Sequence, residues 1–178
     1  MMNTALVSVT QQRKARKPRI LIAVDVQNIQ NGTVRLDYAG LVRGYQECGE
    51  LVAAMAFVTD APTQVSLQLM LVQNGYEVVR VRPTANGNGE LKGDADIQLA
   101  FRLGREVERH RLGKGDIVVL CTGDGDFAPI VEWLRLRDIR VEVVAFKGST
   151  SPHLQIAASK FRPIDETPTL QYKPVSAA

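Results

Sequence analysis

The stretch "DIVVLCTGDGDFAPIVEWLRLRD", residues 116–138, decides the fold, because its hydrophobic period changes partway along. Its first part, "DIVVLC", is a continuous apolar run of strand length, as expected for a parallel strand covered on both faces. From Phe127 onward the apolar residues recur at helical spacing, and Pro129 falls where a first helical turn tolerates it. Between the two, "CTGDGDF" (121–127) sets Asp124 and Asp126 at the strand end. Acid in a tight glycine turn has two explanations. Asp126 can cap the helix that follows, or the pair can help to hold a cation.

The same construction recurs along the chain. "RILIAVD" (19–25), "LVAAMAFVTD" (51–60), "YEVVRVRP" (76–83) and "IRVEVVAF" (139–146) read as further strands. "PTQVSLQLMLVQNG" (62–75) reads as a helix with Val65, Leu69 and Val72 at core spacing and a stop at Asn74-Gly75, and Asp60 reads as its cap. Residues 94–110 and 126–138 are helical as well, and Cys48 lies near another helix end. Alternating strands and helices at this spacing predict an α/β fold, a three-layer α/β/α sandwich around a mostly parallel sheet. "PTANGNGELKG" (83–93) reads as a mobile loop.

The chain of 178 residues fits one domain of ordinary size, here 19–165, between an arm at 1–18 and a tail at 166–178 without apolar periodicity. An apolar fraction of 45% with 23% charged residues belongs to a soluble globular protein, and no run reaches the ~20 apolar residues of a membrane span. Two cysteines in unlike contexts, Cys48 and Cys121, argue against a disulfide framework, and the early positive charges do not form a secretory signal. The expected location is the cytoplasm. Arg13, Lys14, Arg16, Lys17 and Arg19 supply five positive charges, and removing five from +3 leaves −2 for the body. Such an arm suits either a solvated leader or contact with a phosphate backbone.

Carboxyl ends of parallel strands form the ligand crevice of an open α/β sheet. Asp25 ends the first strand and Asp124 the fourth, so neighbouring strands would deliver both to one edge. Helical phase turns Asp96 toward the sheet, on the stripe of Ala100, Leu103 and Val107, while Asp94 falls away from it and suits a cap. Two unit charges 4 Å apart repel by about 4 kcal/mol at an effective dielectric of 20, so protons or cations must compensate such a gathering. An oxygen-only donor set, with His110 and His153 remote in sequence, favours Mg²⁺ or Mn²⁺ over zinc. A cation of this kind can act on a phosphodiester. Arg82 and Lys92, beside the glycine-rich segment, are candidate phosphate contacts or ordinary solvated charge.

"IAVDVQNI", "KGDADIQLAF" and "VVLCTGDGDFAPIVEWLRLRDIRVEVVAF" together resemble the NYN domain, in particular its LabA-like branch, within the PIN-like nucleases. The resemblance spans about residues 19 to 165. It implies a PIN-like, Rossmannoid fold and an acidic metal site made by Asp25, Asn28, Asp96, Asp124 and Asp126, with Thr122 orienting the acidic turn and Ser149 facing the crevice. It also implies a metal-dependent endoribonuclease acting on RNA, single-stranded RNA in the first instance. Arg102 departs from the pattern, since many relatives carry an acid there, and it supports the alternative of a catalytically silent RNA-binding or regulatory module. A homodimer is compatible with the sequence. A dinucleotide-binding domain fits less well, because the acids of "GDGDFA" repel pyrophosphate, and an Asp-x-Asp phosphatase fails because Gln27 stands at the second acid's place.

Overall fold

The strand Arg19–Asp25 (β1) is buried along nearly its whole length, with Ile20, Ile22 and Val24 facing one core and Leu21 and Ala23 the other. That two-sided burial is why its run is continuously apolar rather than alternating. The computed structural model describes residues 16–30, 34–85, 91–93 and 95–172. After β1 come α1 (Tyr38–Cys48), β2 (Glu50–Thr59), α2 (Val65–Gln73), β3 (Glu77–Val81), β4 (Pro83–Ala85), β5 (Leu91–Gly93) and α3 (Ala95–Arg109). They are followed by β6 (Ile117–Cys121), α4 (Ala128–Leu136), β7 (Arg140–Ala145), α5 (Pro152–Ala157) and β8 (Lys160–Pro163).

Six strands form one parallel sheet in the order β3-β2-β1-β6-β7-β8. The chain builds outward from β1 through β2 to β3, then returns to β6 on the other side of β1. The direction therefore reverses between β1 and β6, the switch point where connections leaving the strands diverge and open a crevice. Val24 lies opposite Cys121 in that pair, so Asp25 and the Thr122–Asp126 turn leave the sheet at the same level. Helices α1 and α2 cover one face through Leu41, Val42, Tyr45 and Leu71, and α3, α4 and α5 cover the other through Leu99, Leu103, Val131, Leu134 and Leu154. The three-layer α/β/α architecture expected from the sequence is the one found.

Four expectations need correction. A sixth strand, β8, pairs with β7 at Glu142↔Lys160 and Val144↔Arg162; its "KFRP" sequence has no apolar run because it lies at the sheet edge. The glycine-rich segment contains an antiparallel pair, β4 with β5, rather than loop alone. In α2 the stripe read as core, Val65, Leu69 and Val72, is exposed, and the helix buries Leu71 and Gln68 instead. Apolar residues surround α2 at Val65, Leu67, Leu69, Met70, Leu71 and Val72, so periodicity alone does not select the inner face. The expected C-terminal tail packs through residue 172: Leu170 is buried, Asp37 N–H donates to its carbonyl, and Leu36 bridges to Gln171.

The amino ends of the strands are closed by ion pairs. Asp116, just before β6, is fully buried and accepts from the Arg19 backbone N–H at 2.9 Å, the Arg19 guanidinium at 2.8 Å, the Arg16 guanidinium at 2.9 Å and the Gly113 N–H at 3.1 Å. Burial pushes its carboxyl up, but the Arg19 and Gly113 donors outweigh that and hold it below the usual carboxylate range. Part of the basic arm is thus committed to the fold at the end of the sheet opposite the crevice. Among the described residues, no helix is long and apolar enough to cross a membrane.

Candidate active site

Asp25 is 4% exposed at the end of β1, and its Oδ1 accepts the Asn28 N–H at 3.3 Å. Burial raises its carboxyl to about 6; the neighbouring carboxylates of Asp96 and Asp124 add to the rise, and the backbone N–H groups of Asn28 and Gln27 oppose it. The two side-chain charges that act on it most strongly are therefore both acids. Asp96 stands half-buried in the first turn of α3, and Asp124 half-buried in the turn after β6. Strand position and helical phase predict this convergence, and in the structure Asp96 and Asp124 both act on Asp25 through their charge. Asp94 lies outside the described residues.

The turn carrying Asp124 is held from several sides. Its carboxylate Oδ1 accepts the Asp126 N–H at 3.0 Å, which makes Asp124 the cap of the helical turn that leads into α4. The cap is therefore Asp124, two residues before the position read from sequence. The Asp124 N–H in turn donates to Thr122 Oγ1 at 3.2 Å. Thr122 is fully buried, so its hydroxyl orients the turn and does not reach a substrate.

Gly123 ties three loops together. Its N–H donates to Asn28 Oδ1 at 2.7 Å, and its carbonyl accepts the Ser151 N–H at 2.9 Å, which links the segments after β1, β6 and β7. A Cβ at this position would lie 3.0 Å from the Ser149 carbonyl oxygen and 3.2 Å from Thr150 Cα, so any larger residue would press on the 149–150 backbone. The Asn28 carboxamide oxygen is thus spent on the turn. Ser151 had no signal in the sequence, because its part is played by backbone groups.

The remaining candidates lie farther out. Asp126 is exposed and lines a groove between α4 and α5 with Glu132, Arg135, Ser151 and His153. Ser149 is exposed in the turn after β7, Arg82 is exposed just beyond β3, and Lys92 lies in β5. Asp60 makes no capping bond to the turn that starts α2, and instead lines a groove with Arg80. Arg102 forms an ion pair with Glu77 at the start of β3, toward the sheet edge.

Among the described residues, no three His, Cys, Asp or Glu side chains are gathered into a ready-made metal cage. What the site presents is a buried strand-end carboxylate with two acids nearby, all on oxygen donors. That arrangement suits a hard cation that prefers oxygen donors and keeps several of its own waters, which is the habit of Mg²⁺.

No relative among curated proteins matches the chain. Among solved structures it is similar to a protein of unknown function from Vibrio parahaemolyticus, at 27% identity and a TM-score of 0.74, over 88% of this chain and 98% of that one. The strand-end aspartate, the first-turn acid of α3 and the capped turn after β6 all fall within residues 19–165, which match the NYN domain. With that match over most of its length, the chain belongs to the NYN domain family, a family of the PIN-like nuclease kind.

Proposed function

We propose that the protein is a metal-dependent ribonuclease that hydrolyses RNA phosphodiester bonds at the crevice between β1 and β6. The observation that carries the reading is Asp25, a buried carboxylate raised to about 6 beside two further acids at the sheet's switch point. A fold that buries an acid beside like charge does so against its own stability, and such groups cluster at functional sites.

Asp25, Asp96 and Asp124 would hold the cation, Mg²⁺ or Mn²⁺, which when bound neutralises the acids and polarises the scissile phosphodiester. The chain's own contribution is preorganisation. Asp25 sits on a rigid central strand, Asp124 is locked by the Asp126 N–H, and Asn28 and Ser151 pin the turn from both sides. Without a cation the acids repel RNA phosphates, so binding and cleavage both require the ion. Arg82, Lys92 and Ser149 are the proposed contacts to the RNA beyond the acids, and Asp126 is a contact or ligand at the margin of the site.

The test is cleavage of an end-labelled single-stranded RNA by wild-type protein and Asp25→Asn, with Mg²⁺, with Mn²⁺ and with EDTA. Cation-dependent cleavage lost in the variant supports the reading. RNA retention with no cleavage under any cation would instead favour a catalytically silent binding module, the alternative that Arg102 suggests from the family pattern. Cleavage unaffected by EDTA and by the substitution would end the reading altogether.

A further inference from the structure

The largest unexplained apolar surface lies at the β3 edge of the sheet. Val65, Leu69 and Val72 on α2, and Ile97 and Phe101 on α3, are each between 51% and 71% exposed. They are not scattered. Val65, Leu69 and Val72 line a groove with Val78 and Arg80 of β3, and Phe101 lines a second groove with Glu77, Val78 and Val79. The two grooves thus run along the two sides of the same edge strand and meet at Val78. Five such side chains leave on the order of 500 Å² of apolar surface, at the upper end of what a monomer normally shows.

We propose that this edge is the interface of a homodimer in which the β3 strands of two copies pair antiparallel about a two-fold axis. A sheet edge presents unpaired backbone N–H and C=O groups, and an identical edge of equal length is a fitting partner for them. The same axis brings α2 against α2 and α3 against α3, so one operation covers both apolar stripes. Area agrees with such a pairing, since a stable interface takes about 800 Å² per partner, of which the apolar stripes already supply more than half before the strand itself is counted.

The proposal is independent of the nuclease reading, because it is tested without catalysis. Sedimentation equilibrium of the full chain from low to high micromolar concentration should give twice the chain mass. Leu69→Glu and Phe101→Glu, at positions already facing solvent, should each weaken association by at least ~10-fold, with unchanged far-ultraviolet circular dichroism. Leu136→Glu, at an exposed position on α4 away from β3, should leave the mass unchanged. Hydrogen exchange of the wild-type protein should show β3 amides more protected at high concentration than at low. A monomer at every concentration overturns the proposal. So does a dimer indifferent to both α2 and α3 substitutions, or one whose β3 amides gain no protection.

Discussion

Two aspartates are buried at opposite ends of the central strands, and they are in opposite states. Asp116, before β6, is surrounded by donors: the Arg19 and Arg16 guanidinium groups and the N–H groups of Arg19 and Gly113. Asp25, after β1, has backbone N–H groups from Asn28 and Gln27, but the charges acting on it are the acids Asp96 and Asp124. The first carboxyl is held below its usual range and the second is raised to about 6. Burial is common to both, so the difference lies in the neighbours. An acid supplied with partners holds a fold together. An acid supplied with more acid costs stability.

The sharpest way to break that comparison is to remove the satisfied acid. Asp116→Ala leaves the Arg19 charge and two backbone N–H groups without their acceptor, and should cost about 3 kcal/mol, the lower part of the range for breaking a buried ion pair because Arg19 is partly solvated. Urea unfolding at neutral pH measures it. Its RNA cleavage per folded molecule should not change, since Asp116 lies a strand length from Asp25. A large loss of activity in folded Asp116→Ala protein would show the two ends to be coupled.

At the other end the expected effects are on chemistry. Asn at position 25, 96 or 124 should lower cleavage by roughly 100-fold or more, exceeding the 10–100-fold typical of groups that only support a metal ligand. Double variants should lose little beyond the single ones, because residues acting as a unit are not additive. Full additivity in the logarithm of the rate would argue for three separate contributions and against one shared ion.

Stability should move the opposite way. A carboxyl whose folded value is raised, here from 3.8 to about 6, contributes stability that is fully present below pH 3.8 and lost as pH rises through about 6. Asp25→Asn should therefore be more stable than wild type at pH 7, by about 1–2 kcal/mol and less than the ~3 kcal/mol the whole shift represents, with the advantage gone near pH 4. Asp116 has the reverse sign: its contribution is present above the unfolded value and lost as pH falls through the lowered folded one. Paired denaturation curves for both variants at pH 4 and pH 7 expose the contrast. Equal behaviour of the two across that range would mean that Asp25 is relieved by a partner at neutral pH.

Much of the acidic end was legible in the sequence because it follows from periodicity. Asp25 and Asp124 terminate apolar runs, and Asp96 follows helical phase, so strand ends and a 3.6 repeat place them. What escaped detection depends on backbone or on edges. The lacing of Gly123 by Asn28 and Ser151 uses main-chain groups that any residue carries. β8 is an edge strand with Lys160 and Arg162, so burial leaves no apolar mark on it. Periodicity does not pick out the inner face of α2 because that helix is apolar on both sides, and the outward side is where the proposed interface lies. The sequence left Asp126 open between a cap and a cation ligand; the cap is Asp124, and since both acids suit the position only geometry separates them.

The smallest effect concerns the residue whose departure from the family pattern weighs against an active site. Arg102 stands where many relatives carry an acid, yet its guanidinium pairs with Glu77 at the start of β3. If that pair is its whole role, Arg102 belongs to neither end of the comparison. Arg102→Ala should then cost only about 0.5–1 kcal/mol, as for a partly exposed ion pair with a buried stem, and leave cleavage within about 2-fold of wild type. Glu77→Gln should match it in stability, and the double variant should lose no more than either single one, since they share one interaction. The informative outcome is a rise in cleavage. If removing the positive charge speeds the reaction several-fold while Glu77→Gln does not, Arg102 reaches the acids in solution and damps the site, and the separation of the β3 edge from the catalytic end would have to be given up.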